Sequence, residues 1–119
     1  MSLMPTAGQD VFSEVSSRLT TLASRLSDTK APSPIEPSFV AQELDSIALL
    51  AGDGISEMYE SSQRAANLAP TVEKALFGMT TLADRIERTP SVATAPATID
   101  AITGWAELSS GAMLAMHRL

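Results

Sequence analysis

Prolines punctuate this chain, and between them apolar residues return at steps of three and four, a spacing that only helices turn into a continuous face. Proline removes a backbone donor and pushes the residue before it toward extended conformations, so each cluster marks an expected helix stop. Val11, Val15, Leu19, Leu22 and Leu26 are spaced four, four, three and four, which predicts a first amphipathic helix over 9–27 with a heptad-like seam. Three prolines between Asp28 and Pro37 predict a mobile linker. Ser38 is an expected N-cap for a second helical stretch, 38–67, carrying Phe39, Val40, Leu44, Ile47, Leu49 and Leu50. A kink or turn is expected at Gly52-Asp53-Gly54, after which Ile55, Met58, Tyr59 and the Ala65-Ala66 pair continue the pattern toward Pro70. Thr71 is the expected cap of a third helix, 71–88, with Val72, Leu76, Met79, Leu82, Ala83 and Ile86 on its apolar face. Thr89 to Ala97 reads as the last linker, and Thr98 as the cap of a fourth helix over 98–118.

No segment alternates as a strand would, and there is no nucleotide-binding glycine loop or fixed-period repeat. The expected fold is therefore all-α: a small protein of three to four amphipathic helices with Pro-rich linkers. Its expected organisation is an N-terminal helix and mobile Pro-rich linker over 1–37, followed by a helical domain over 38–119. The 119 residues allow at most one domain-sized core, and with 45% hydrophobic but only 4% aromatic residues that core must be built from Ala, Leu, Ile and Met. Such a composition suits helices meeting at close range and suits a sandwich or barrel poorly.

Charge and residue chemistry remove most function classes. A net charge of -6, with no basic run longer than two residues, argues against a nucleic-acid partner. The absence of cysteine excludes disulfides and thiolate metal sites. The N-terminal MSLMPTAGQDVFSEV lacks the charged start and apolar core of a Sec-type signal, and no run of about eighteen apolar residues could span a bilayer, so a cytoplasmic protein or one exported without a cleaved signal is expected. His117 is the single histidine and, with no acidic cluster beside it, reads as a solvated helix-end residue. Asp84, Arg85, Glu87 and Arg88 read as a solvated mixed-charge face, as do Glu57 and Glu60. No catalytic group, metal or cofactor is expected.

The terminal stretch is the most suggestive. Ile99, Ile102, Ala106, Met113 and Met116, widened by Trp105 and Leu108, form an apolar stripe along it, with Asp100 in the first turn and His117 and Arg118 in the last, where the helix dipole favours each charge. Gly104 and Gly111 inside that helix each cost up to about 1 kcal/mol relative to alanine, a loss that close packing against a neighbour can offset. Ile99, Ile102, Trp105, Ala106, Met113 and Met116 are accordingly the expected partner interface. The competing expectation is a monomeric four-helix bundle in which the same residues meet the other helices.

Two resemblances attach to specific residues. Ser38-Phe39-Val40, Leu44-Asp45-Ser46-Ile47 and Pro70-Thr71-Val72 look like parts of an acyl or peptidyl carrier domain. That resemblance implies phosphopantetheine on Ser46 at a helix start, although Glu43 stands where those domains usually have glycine. The order of parts is also similar to type III secretion inner-rod proteins and their flagellar hook-basal-body relatives: a Ser/Thr/Pro-containing N-terminal region, a Ser-Phe-x-x-x-x-Leu helix start at Ser38, a middle helix, a proline-containing break and a terminal amphipathic helix. In those families the terminal helix packs against copies of itself in a helical tube. The matching positions here are Ile99, Ile102, Ser110, Met113 and Met116, preceded by Pro96. The families continue into a further Leu-rich segment beyond the position of Leu119. The implied function is a non-enzymatic subunit or accessory factor of a bacterial secretion assembly, working by helix packing with itself or with protein partners. A secretion chaperone or adaptor built as a monomeric or dimeric bundle fits the same composition.

Overall fold

The computed structural model describes residues 7–28 and 35–116, and within them the chain is an all-α bundle of four helices: α1 (Ala7–Ser27), α2 (Pro37–Ser61), α3 (Gln63–Arg88) and α4 (Pro96–Met116), with a short 3-10 turn at Pro90–Thr94 before α4. Successive helices run antiparallel. Arg18 of α1 meets Glu43 of α2, Tyr59 of α2 meets Glu73 of α3, and the Trp105 ring of α4 lies against Gly78 of α3. α4 returns alongside α1, where Ser16 Oγ donates to the Ala106 carbonyl at 3.0 Å. α1 packs mainly on α4 and α2 mainly on α3, so two tight helix pairs face one another across the core.

The seam read in the first helix is buried as spaced: Val15, Leu19, Leu22 and Leu26 lie inside, joined by Phe12, while Val11 is partly covered. Val40, Leu44, Ile47, Ile55 and Met58 fill the core from α2, and Val72, Met79, Leu82 and Ile86 from α3. Each such side chain contributes roughly 1.5–3 kcal/mol by leaving water. The alanines between them, among them Ala48, Ala51, Ala65, Ala69 and Ala75, are also buried and let the helix axes come close.

Four helix boundaries depart from the sequence expectations, the first being the start of α2, where Glu36 is the N-cap, Pro37 takes the first helical position and Ser38 is already helical. Gly52-Asp53-Gly54 does not break the second stretch: α2 is continuous through it and no glycine has a positive φ among the described residues. The reason is packing. A Cβ on Gly54 would stand 2.8 Å from the Phe12 ring and 3.0 Å from Val11, so the missing side chain is what seats that ring on the helix. The break falls instead at Ser62, a single extended residue (φ -159, ψ 163) whose Oγ accepts from the Ala65 N–H at 3.1 Å and so caps α3. Pro70 and Thr71 therefore lie inside α3 rather than before it. Pro70 sits on the exposed face, where the Ala66 carbonyl that loses its helical partner is near solvent.

At the fourth helix, Pro96 occupies the first position, where its lack of an N–H costs nothing. Thr98 is already helical and is not the cap; buried, it donates through Oγ1 to the Val92 carbonyl at 2.7 Å and fastens the 3-10 turn to α4. Most of the 28–37 linker, and His117 and Arg118, lie outside the described residues.

The two kinds of helical glycine give opposite expectations. Gly54→Ala should destabilise by about 1–2 kcal/mol, because overpacking against a fully buried ring outweighs the gain in helix propensity. Gly111→Ala, with nothing within 4 Å of the added carbon, should stabilise by about 0.5–1 kcal/mol. Denaturant midpoints of the two variants on dilute protein check both signs.

Candidate interaction site

Among the described residues no group of three His, Cys, Asp or Glu side chains is close enough to hold a metal ion, and no buried side-chain nitrogen or oxygen lacks a hydrogen-bond partner. No described helix is long and apolar enough to cross a membrane. The ionisable groups that do interact tie helices together at the surface. Arg18 holds Glu43 with both Nε (3.3 Å) and Nη2 (2.7 Å), and that bond raises the arginine pKa against the opposing effect of its partial burial. Tyr59 Oη donates to Glu73 Oε1 at 2.8 Å, which raises the tyrosine pKa, with a small further push from desolvation. Arg25 lies over the Phe39 ring at 5.3 Å.

Ser46 is the tenth residue of α2, not at a helix start, and its hydroxyl accepts from Arg18 Nη2 at 3.1 Å rather than bonding its own backbone. The Asp45-Ser46 pair thus lacks the helix-start placement on which the carrier resemblance depends, because the helix begins nine residues earlier at Pro37, in the position proline prefers.

The stripe expected to meet a partner is turned inward. Ile102, Ala106 and Met116 are buried, and Ile99, Trp105 and Met113 are partly covered against the same core. The chain's own α1 and α3 cover Ile102, Ala106 and Met116 and leave Ile99, Trp105 and Met113 half-buried. The physical reason is length: α1 offers a complementary apolar seam of the same extent, and Ser16 fixes it at Ala106.

Two clefts flank α4. One, of about 650 Å³, runs between α1 and α4 and is lined by hydroxyls, Ser16, Thr20, Ser24, Ser27, Thr103 and Ser110, with Asp28 and Glu107 at its edge. Its Ser16, Ser27 and Thr103 hydroxyls are engaged with backbone carbonyls, which makes it a solvated seam.

The other cleft runs along the junction of α3 and α4, in two hollows of about 420 Å³ each. One is walled by Phe77, Gly78, Thr81, Leu82 and Arg85 on one side and by Ala97, Ala101 and Trp105 on the other. The second lies between Arg64, Asn67 and Leu68 and the Gly111–Ala115 turn of α4. Ala97 and Ala101 border the first hollow and Gly111 and Ala115 the second, and with Gly104 and Leu108 between them they follow steps of four and three along one edge of α4. A Cβ on Gly104 or Gly111 would meet nothing within 4 Å, whereas the one on Gly78 would stand 2.7 Å from Trp105. Phe77 is 66% exposed at the rim, where none of the described residues covers it.

The sequence reading noted Gly104 and Gly111 but attached them to the apolar stripe. It passed over Phe77, which stands two residues from Met79 and so about 160° around α3 from the core-facing row of Val72, Met79 and Ile86. An aromatic residue out of phase with its helix's apolar row was the signal available.

No family model, curated protein or solved structure matches this chain.

Ile102 is fully buried, so Ile102→Asp should unfold the protein, leaving an unpaired charge in the core at a cost of about 3 kcal/mol or more. Helicity by circular dichroism and association state measured together check this: both should fall in step, and a helical monomer would return the stripe to the surface.

Proposed function

We propose that this chain is a non-enzymatic adaptor or accessory bundle that works by helix packing, with the α3/α4 groove as its contact surface. The observation that carries the reading is a large exposed aromatic side chain, Phe77, along the same α3/α4 junction as two helical glycines, Gly104 and Gly111, where an added Cβ would meet nothing within 4 Å among the described residues. Glycine within a helix lowers stability, and its retention makes physical sense where another backbone or ring must approach closely. Of the other exposed large side chains, Leu49 at 77% stands among Asp45, Asp53 and Ser56 of α2, Leu114 at 60% lies near the end of α4, and Tyr59 is bonded to Glu73.

The similarity in order of parts to inner-rod and hook-basal-body proteins supports a bacterial secretion or flagellar-type assembly as the setting. Within that setting the accessory role is favoured over that of a tube-forming rod subunit, because Ile102, Ala106 and Met116, which a rod would share between copies, are covered by this chain's own helices. A carrier role is disfavoured by the mid-helix position of Ser46.

Photo-reactive residues placed at Thr81, in the groove, and at Ser56, exposed on α2, test the contact surface in cells. Cross-links to protein are expected from Thr81 and not from Ser56; equal or reversed yields would refute the assignment. Intact mass after expression with a phosphopantetheinyl transferase should be unchanged, and a gain that disappears in Ser46→Ala would establish the carrier function instead.

A further inference from the structure

The buried row of α2 keeps its phase through the turn and on into α3. Leu44, Ala51 and Met58 of α2 and Ala65, Val72, Met79 and Ile86 of α3 are spaced by seven throughout, and all are buried. The row beside it does the same: Ala48, Ile55, Ala69 and Ala83 are buried, Leu76 is partly so, and Ser62 is the polar member between them. A hairpin requires an apolar face on each arm, but not that the two arms share one phase. An uninterrupted seven-residue repeat is what a single long helix needs to pack along its whole length. We propose that the chain has a second folded form, a dimer in which Ser62 turns helical, α2 and α3 fuse into one helix over 37–88, and two copies exchange halves. The α1–α2 unit of each copy then packs on the α3–α4 unit of the other.

Little holds the hinge in its bent form. Ser62 is the one non-helical residue between the arms, it is exposed in extended backbone, and it caps α3 through a single bond from the Ala65 N–H at 3.1 Å. Straightening gives that N–H and its neighbours the last carbonyls of α2 as helical partners instead. It also sets Glu60 four residues before Arg64 on one helix, the favourable order for such a pair. Pro70 stays on the exposed face of its helix in both forms. The chain is also divided at Ser62 into two units, each with its own fastening. Phe12 on Gly54 and the Arg18–Glu43 pair hold α1 to α2, and Trp105 on Gly78 holds α4 to α3. These contacts travel with each unit, while those that cross between units, Ser16 to Ala106 and Tyr59 to Glu73, re-form between chains. The exchange therefore gives up only the turn. It is independent of the α3/α4 groove, whose two walls stay in one chain.

The experiment refolds the full chain from denaturant at low and at millimolar concentration, separates the products by size and measures the helicity of each. Concentrated refolding should yield a dimer as helical as the monomer and slow to revert on dilution, because reversion requires the units to part. Ser62→Ala should raise the dimerisation constant about thirtyfold, since two caps are lost per dimer. Three glycines inserted after Ser62 should leave a helical monomer. The chain has no cysteine, so spin labels on Asp45→Cys and Asp84→Cys, both exposed, report the shape of one chain when the labelled protein is diluted into unlabelled. Continuous helix sets these positions about 58 Å apart in the dimer, against less than about 25 Å across the hairpin of the monomer. Monomer alone from both the wild type and Ser62→Ala, a dimer whose labels keep the hairpin distance, or a glycine-inserted chain that dimerises as readily as the wild type would overturn the proposal. None of these results bears on the groove, which capture at Thr81 tests separately.

Discussion

Two aromatic rings lying on bare helix backbone hold the four helices in place: Phe12 against Gly54 and Trp105 against Gly78. Phe12 is entirely buried, and its ring approaches α2 to a distance that any Cβ would forbid. With so few aromatic residues in the chain, each one that packs must do so at short range, and glycine provides that range. The first contact joins α1 to α2 and the second joins α3 to α4, so each links a helix of one tight pair to a helix of the other. The alanine-rich pairings within each pair complete the core around them.

Polar contacts then fix what apolar packing leaves adjustable. Helices can slide along one another at small cost in buried area, but the two-pronged Arg18–Glu43 contact, the Ser16 bond to Ala106 and the Thr98 bond to Val92 each have one geometry. Arg18 also reaches Ser46, which makes that serine part of the α1–α2 registration. This role needs no chemistry beyond that of an acceptor. At the α3/α4 junction the long Ser62 hydroxyl bond to the Ala115 carbonyl (3.5 Å) holds only the end nearest the α2–α3 turn, and along the rest of it the groove opens.

Periodicity made the helices and most of their buried residues legible. Val15, Leu19, Leu22 and Leu26, or Val72, Met79, Leu82 and Ile86, are inside because their spacing leaves a helix no other way to face. What misled was local punctuation. Gly52, Gly54 and Pro70 are breakers by propensity, at about 1 kcal/mol per glycine and more for proline, yet each is carried within a helix of more than twenty residues. Packing on Phe12 decides the case of Gly54, and a ring 42 residues upstream belongs to no local window. The actual turn at Ser62 carries neither glycine nor proline, only a serine able to cap. Which side of α4 faces out was likewise undecided, because a stripe of Ile, Ala and Met is equally suited to a partner chain or to a helix of the same chain. In the bundle it is α1, whose seam matches it, that lies over Ile102, Ala106 and Met116.

The α2–α3 hairpin turns on one residue, whereas Ser16 and Ala106, bonded across the α1–α4 seam, are separated by 90 positions. Loop closure is nearly free in the first case and carries the full entropic cost of a long loop in the second. Chain connectivity therefore favours the α2–α3 pairing, which local search can reach, over the α1–α4 seam, which only the whole chain can close. The hydroxyl-lined α1–α4 seam is thus the one joint of the bundle that joins the two ends of the chain, held by packing and the Ser16 bond rather than by a neighbouring turn.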